Sequence, residues 1–146
     1  MNKVRFQYAD VPSVQLKNKT SVKQFVQNLF VLEGKPLHKL NYIFCSDGYL
    51  LQINQDFLKH DYYTDIITFD ITDDLEQGTI GEVYISIDRV KDNAVSHDTS
   101  FTQELLRVIF HGALHLCGYR DKKKSEITMM REKENYYLCL FEKRFS

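Results

Sequence analysis

The feature that most constrains the fold is a long, largely apolar segment, SFTQELLRVIFHGALHLCG, at residues 100–118. Its start carries a capping box, Ser100 followed by Gln103, which satisfies free backbone N–H groups at a helix N-terminus. Gly118 stands where a helix end needs a left-handed residue. A helix that is apolar on most of its surface is buried in the core of its domain. The segment therefore predicts a buried helix, the strongest helix of the chain.

Two histidines and an aspartate lie near the end of this helix, in HGALHLCGYRD at residues 111–121. His111 and His115 are four residues apart, so they project from one helix face and can reach a common ion at about 2.0–2.1 Å. Gly118 lets the chain reverse, which brings Asp121 back towards the histidines as a third ligand. The spacing predicts a metal site of His111, His115 and Asp121 with one position open, as in catalytic zinc centres.

Other interpretations of these residues stay open. A histidine on an apolar helix is commonly a core residue with a satisfied hydrogen bond, and Asp121 can simply begin the next helix. Two histidines and a carboxylate also hold Fe(II) in non-haem oxygenases, and another divalent metal is an alternative to zinc. The spacing overlaps the HExxHxxGxxH pattern of metzincin proteases. However, Gly112 replaces the water-activating glutamate, and Met129 and Met130 lie in a predicted helix rather than a Met-turn, so peptide hydrolysis is not expected.

The rest of the chain alternates strands and helices. A capping box of Ser21 and Gln24 predicts the start of a helix that ends at Gly34, and we expect a strand bulge at Gly81. The predicted elements are strands at 4–9, 39–46, 64–71 and 78–87, and helices at 21–34, 47–61, 88–98, 100–118 and 123–145. This order favours an α+β fold, with a central mixed β-sheet of about four strands flanked by helices, as a single domain over residues 1–146.

Composition limits the class of protein. The chain has 146 residues, of which 43% are hydrophobic and 27% charged, as is typical of a globular protein. Its net charge of −1 gives no global positive field, so any RNA contact depends on local patches such as YRDKKK at residues 119–124. Three cysteines without a CxxC pair indicate the reduced thiols of a cytosolic protein. Without a signal-peptide pattern or a run of about 18 apolar residues, we expect a cytoplasmic protein with no membrane contact.

HGALHLCGYRD resembles the signature of the YbeY family of rRNA maturation factors, also described as YbeY endoribonucleases. The family typically reads H-G-x-L-H-L-x-G-Y-D-H, and this chain has Asp121 where the third histidine stands. Upstream, residues 53–70 and 78–86 are similar to two further family blocks, and the resemblance covers roughly residues 38–135. The matching positions in the first of these blocks are Asn54, Phe57, Asp61, Thr64, Asp65 and Phe69.

The resemblance implies a mixed sheet of about four strands with helices around it, and one zinc ion per chain held by His111, His115 and Asp121. It also implies a metal-dependent endoribonuclease that acts in small-subunit rRNA maturation and ribosome quality control. RNA, and the ribosome or proteins associated with it, are the implied partners. An aspartate oxygen binds zinc at a similar distance to histidine, but its negative charge makes the metal a weaker Lewis acid. Leu58 replaces an arginine thought to engage RNA phosphate, for which Lys59 or His60 is the substitute to consider.

No general base accompanies the motif. His60, from the other family block, is the residue that we add to His111, His115 and Asp121 as catalytic, although it can equally be an exposed loop histidine. Tyr62 and Tyr63 are candidates for stacking on unpaired bases. Two competing functions are a non-catalytic ribosome assembly factor with a structural metal and, less favoured, a metalloprotease.

Overall fold

The computed structural model describes residues 2–145. Within this range the chain forms four strands and five helices. In chain order they are β1 (Val4–Tyr8), α1 (Lys19–Leu32), β2 (Leu37–Cys45), α2 (Asp47–Leu58), β3 (Ile66–Asp70), β4 (Thr79–Ser86), α3 (Ile87–Ser96), α4 (Phe101–Leu116) and α5 (Lys124–Phe145).

The strands form one mixed sheet in the order β1-β2-β4-β3. β1 pairs parallel with β2, and β2 parallel with β4, while β3 is antiparallel to β4. A parallel pair needs a crossover between its strands, and α1 supplies it between β1 and β2. The short segment between β3 and β4 suits antiparallel neighbours. The predicted α+β fold, with a mixed sheet flanked by helices, is confirmed.

One face of the sheet carries most of the hydrophobic core. α4 lies there between α1 and α5 and in contact with β3 and β4, and most of its residues are buried. Phe25, Phe110 and Phe141 join the three helices, with ring centroids 5.2–6.0 Å apart. The buried Tyr42 hydroxyl donates a hydrogen bond of 2.7 Å to the Ile109 carbonyl oxygen, which ties β2 to α4. The predicted burial of the 100–118 helix is therefore observed.

Two glycines allow α4 to lie close against the sheet. A Cβ on Gly112 would be 2.9 Å from Val83 Cγ1 and 3.1 Å from Ile66 Cδ1. A Cβ on Gly81 would be 2.5 Å from Leu116 Cδ1. The predicted bulge at Gly81 is wrong, because the pairing of β4 runs through Gly81 without a shift. Gly81 is small because Leu116 packs on it, and Gly112 faces the sheet, where a glutamate would not fit.

The opposite face of the sheet has a much smaller apolar cluster. It consists of Cys45, Leu50 and Ile67, with α2 as the covering helix. Within residues 2–145, no helix is both long enough and apolar enough to cross a membrane.

The two predicted capping boxes have different outcomes. Ser100 caps α4 as expected, since its Oγ accepts a hydrogen bond of 3.1 Å from the Gln103 backbone N–H. The box at Ser21 and Gln24 is wrong: α1 begins two residues earlier, at Lys19, and its N-cap is Asn18 in a left-handed conformation without a side-chain hydrogen bond. Local sequence therefore located the start of the buried helix but not that of α1.

Candidate metal centre

α4 and the turn after it bring three side chains to one point. The rings of His111 and His115 have centroids 4.5 Å apart, on successive turns of the helix. The Nε2 atoms of both rings lie 3.2 Å from Asp121 Oδ2. One possible ligand atom from each residue lies within 4.8 Å of the other two. Among residues 2–145, this is the one group of three or more His, Cys, Asp or Glu side chains arranged in this way.

The turn that returns Asp121 is a Schellman motif. α4 ends at Leu116, and Gly118 adopts a φ of 108°, which favours glycine. The Gly118 N–H donates to the His115 carbonyl at 3.0 Å, and the Tyr119 N–H to the Leu114 carbonyl at 3.1 Å. The predicted left-handed helix end at Gly118 is observed, and it carries the chain back across the histidine face of α4.

In each histidine the ring nitrogen that does not face Asp121, Nδ1, contacts a different group. His111 Nδ1 lies 2.6 Å from Glu134 Oε2, and His115 Nδ1 lies 2.9 Å from the Tyr119 carbonyl oxygen. A carbonyl oxygen only accepts, so the proton of neutral His115 is on Nδ1 and its Nε2 lone pair faces Asp121. Histidines that bind metals commonly donate their other N–H to a carboxylate or carbonyl in this manner.

Sequence reasoning missed Glu134. This carboxylate lies on α5, is only 4% exposed, and also pairs with Arg107 Nη1 at 2.9 Å and Arg131 Nη1 at 3.4 Å. One available indication was the helical spacing, which places Glu134 within the buried stripe of α5. The other members of that stripe are Met130, Tyr137, Leu138 and Phe141. A charged residue in an apolar stripe needs a partner, but periodicity alone does not identify the partner.

Acidic groups dominate the electrostatics around the histidines. Burial lowers the pKa of His111, but the hydrogen bond and charge of Glu134, with the charges of Asp121 and Asp65, raise it above the ordinary value. Burial raises the pKa of Glu134, but His111 and Arg107 outweigh burial and hold it below the ordinary value. Asp65 is different, since burial raises its pKa more than the nearby His111 lowers it. The site therefore favours positive charge at its centre.

The cluster opens into a cavity of about 760 Å³. Its lining is mixed, with apolar, basic and acidic side chains from α2, β3, α4, α5 and the segments between them. The residues that matter for the chemistry are Leu58, His60, Tyr62, Asp65, Arg107, His111, His115, Asp121, Lys122, Arg131 and Glu134. A cavity of this size, with convergent polar groups, has the form of a binding site.

The segment between α2 and β3 forms the other side of this cavity. His60 lines it, with Nδ1 2.9 Å from the Tyr62 hydroxyl and the two rings stacked at a centroid distance of 5.0 Å. Lys59 is the left-handed C-cap of α2, and its Nζ lies 3.4 Å from the Asp56 carbonyl oxygen. Leu58 lines the cavity as well. Of the two substitutes considered for the missing arginine, His60 is the one that lines the cavity.

Of the aromatic and basic residues predicted to contact RNA, some line the cavity and others do not. Tyr62 lines the cavity, whereas Tyr63 packs beneath the Arg89 guanidinium at 5.3 Å. Lys122 lines the cavity, and the backbone N–H groups of Lys122 and Lys123 donate to Glu126 at the start of α5. The run of basic residues thus directly precedes α5 and includes its first residue, and Lys122 is the lysine of the run that lines the cavity.

The residues present suit a divalent metal such as zinc. Imidazole nitrogen and carboxylate oxygen are both zinc ligands, and ligands at about 2.0–2.1 Å in tetrahedral directions lie about 3.3 Å apart. The 3.2 Å separations between Asp121 Oδ2 and the two Nε2 atoms are close to that value. Met129 and Met130 lie within α5, so no Met-turn lies under this site. Ligation of a metal by these three residues stays a prediction.

Comparison with known proteins gives the chain its family. The family model described as endoribonuclease YbeY matches residues 6–142. An endoribonuclease YbeY of Cytophaga hutchinsonii is 48% identical over 136 residues, which cover 92% of this chain and 94% of the relative. One of Porphyromonas gingivalis is 41% identical over 143 residues, covering 97% and 92%.

A solved structure agrees with these sequence matches. The solution structure of a Thermotoga maritima protein superposes with a TM-score of 0.61 at 27% identity, covering 92% of this chain and 86% of the other. The sequence matches extend over nearly the whole chain, including both the cluster on α4 and the segment between α2 and β3. The chain therefore belongs to the endoribonuclease YbeY family.

Proposed function

We propose that this chain is a zinc-dependent endoribonuclease, a single YbeY-like hydrolase domain whose zinc ligands are His111, His115 and Asp121. One observation carries the proposal: both Nε2 atoms lie 3.2 Å from the same Asp121 oxygen while each Nδ1 is engaged elsewhere. RNA is the proposed substrate because the curated relatives are named endoribonucleases. We place the activity in small-subunit rRNA maturation and ribosome quality control. The proposed compartment is the cytoplasm, consistent with free thiols at Cys45, Cys117 and Cys139.

The residues around the cluster have separate tasks in this proposal. His111, His115 and Asp121 would hold the zinc, which would supply a Lewis acid with an open position for a phosphate oxygen or a water. Lys122 and Arg131 line the cavity and provide positive charge for RNA phosphates. His60 lines the same cavity, with Nδ1 2.9 Å from the Tyr62 hydroxyl oxygen. In this proposal Nδ1–H donates to that oxygen, so that the Nε2 lone pair accepts a proton as general base.

The test is cleavage of small-subunit RNA by the purified full chain, with and without a chelator. We expect cleavage in the presence of zinc and its loss on chelation, with restoration by added zinc. His111→Ala and Asp121→Ala should each remove cleavage, because each removes one ligand of a three-ligand site. A full cleavage rate in His111→Ala would attribute the activity to a contaminant or to another site and would overturn the proposal.

A second candidate is a non-catalytic ribosome assembly factor with a structural metal. The observation that favours it is Leu58, an apolar side chain that lines the cavity and is 41% exposed. In that case the zinc-loaded protein would bind small-subunit RNA and leave the RNA intact, and a chelator would lower the melting temperature of the protein. The metalloprotease is not retained, because Gly112 packs against Val83 and Ile66 and leaves no room for a catalytic glutamate.

A further inference from the structure

The two histidines of the cluster are supported unequally. His115 Nδ1 lies 2.9 Å from a neutral group, the Tyr119 carbonyl, which the helix end itself supplies. His111 Nδ1 lies 2.6 Å from a charged group, the Glu134 carboxylate, which comes from α5. A hydrogen bond to an ionised acceptor is shorter and roughly twice as strong as one between neutral groups. His111 thus contacts a side chain distant in sequence, whereas His115 contacts a backbone carbonyl at the end of its own helix.

The two carboxylate oxygens of Glu134 contact different partners. Its Oε1 atom accepts from Arg107 Nη1 at 2.9 Å and faces Arg131 Nη1 at 3.4 Å, while its Oε2 atom faces His111. Arg107 is held in turn by a 2.8 Å hydrogen bond from Nη2 to Asn135 Oδ1. Rotation of the carboxylate away from His111 would break the pairing with Arg107. The arginine therefore fixes the orientation in which Oε2 meets Nδ1.

The position of Glu134 matters for the direction of the His111 lone pair. A carboxylate that accepts the Nδ1 proton selects the tautomer whose Nε2 carries the free electron pair. That Nε2 atom faces Asp121 Oδ2 at 3.2 Å. A carboxylate on Nδ1 also makes the imidazole a stronger electron donor to a cation.

We infer that Glu134 is a positioning residue that orients His111 and strengthens its bond to the metal, with Arg107 as the anchor of Glu134. The inference rests on the proposed metal site, but it assigns a residue outside the three ligands. It also makes α5 part of the centre: the chain must pack its last helix against α4 before His111 is oriented. A purely structural role for the Glu134–Arg107 ion pair is the alternative.

The experiment measures zinc affinity of the full-length chain with zinc ions alone, by competition with a chromophoric chelator. Glu134→Gln is the main variant, since glutamine keeps the shape and an acceptor oxygen but loses the charge, and Glu134→Ala removes the contact. We expect zinc affinity to fall by about 10–100-fold in Glu134→Ala and by less in Glu134→Gln, as for other groups that orient metal ligands. Arg107→Gln removes the anchor but keeps the Glu134 carboxylate, so zinc affinity should fall in this variant too, by less than in Glu134→Ala.

A second measurement separates positioning from general support. In the zinc-loaded protein labelled with ¹⁵N, the Nδ1–H proton of His111 should be strongly downfield and exchange slowly with water. Glu134→Gln should move this resonance upfield and leave the His115 resonance in place. If the role were merely structural, Glu134→Gln and Arg107→Gln would lose thermal stability alike, and the His111 resonance would not shift more than that of His115.

The outcomes distinguish the two proposals. If the wild-type chain binds no zinc, the proposed metal centre fails. If the wild type binds zinc and Glu134→Gln and Glu134→Ala bind it equally well, only the role of Glu134 is overturned. If Glu134→Ala does not fold, the Glu134→Gln comparison decides, because that substitution keeps the side-chain volume.

Discussion

The two sides of the cavity are built differently. The helical wall (His111, His115, Asp121 and Glu134) is held by hydrogen bonds and ion pairs from α4, α5 and the turn between them. The loop wall (residues 58–65) holds a stacked His60–Tyr62 pair at the surface. Glu134 is 4% exposed and Tyr62 is 56% exposed. The difference indicates that the helical wall is held rigidly by buried ion pairs, whereas the His60–Tyr62 pair of the loop wall is exposed.

The largest expected effect is on the helical wall, in His115→Ala. Because His115 is a proposed direct ligand, its removal should weaken zinc binding by more than roughly 100-fold, the upper range for supporting groups. Elemental analysis should find about one zinc per wild-type chain and none in the variant. Zinc should raise the melting temperature of the wild type by mass action but not that of His115→Ala. An equal zinc-dependent rise in both proteins would contradict the assigned site.

The second prediction concerns Glu33, which holds the side chain of Tyr119, the residue whose carbonyl contacts His115. The carboxylate accepts hydrogen bonds from Tyr137 and, at 2.7 Å, from Tyr119, and Lys133 Nζ lies 3.4 Å away. Burial raises the pKa of Glu33, but the hydrogen bonds from Tyr137 and Tyr119 and the charge of Lys133 hold it below its ordinary value of 4.5. Glu33→Gln should lower the free energy of unfolding at pH 7 by about 1–3 kcal/mol.

The sign of the pH dependence follows from that lowered pKa. The contribution of Glu33 is fully present above its unfolded-state pKa and is lost as the pH falls through the folded-state pKa. The stability difference between wild type and Glu33→Gln should therefore be constant near neutral pH and shrink as the pH falls below the ordinary value of 4.5. Urea denaturation at a series of pH values measures it. A difference that grows as the pH falls would contradict the assignment.

The third prediction compares a left-handed residue on each wall. Gly118→Ala should lower the free energy of unfolding by about 1–2 kcal/mol, because Gly118 has a φ of 108° and alanine is strained there. Lys59→Gly should change it much less, because relief of left-handed strain at φ 59° is offset by the greater freedom of glycine in the unfolded chain. Thermal unfolding of both variants tests the contrast, and equal losses would contradict it.

The smallest expected effect is that of Tyr62→Ala on the metal and the fold. Its ring is exposed and stacks on His60, so the free energy of unfolding should stay within about 0.5 kcal/mol of the wild type and zinc affinity should not change. Binding of single-stranded RNA should nevertheless weaken, by about 1–3 kcal/mol if a base stacks on this ring. Tyr63→Ala, at a tyrosine that packs under Arg89, is the matched control. Loss of zinc in Tyr62→Ala would remove the distinction between the walls.

The sequence by itself determined the local parts of the molecule. Helical spacing set His111 and His115 on one face, and Gly118 ended the helix so that Asp121 returned to them. The α+β class followed from the order of the elements. These features depend on hydrogen bonds and backbone preferences within a few residues, which a single sequence carries directly.

Only the tertiary structure decided the rest. It placed Glu134 against His111, packed Gly112 on Val83, and put His60 rather than Lys59 into the cavity lining. It also showed that Gly81 accommodates Leu116 instead of forming a bulge. The physical reason is that these contacts join elements far apart in the chain, and their partners are chosen by how whole helices and strands pack rather than by local periodicity.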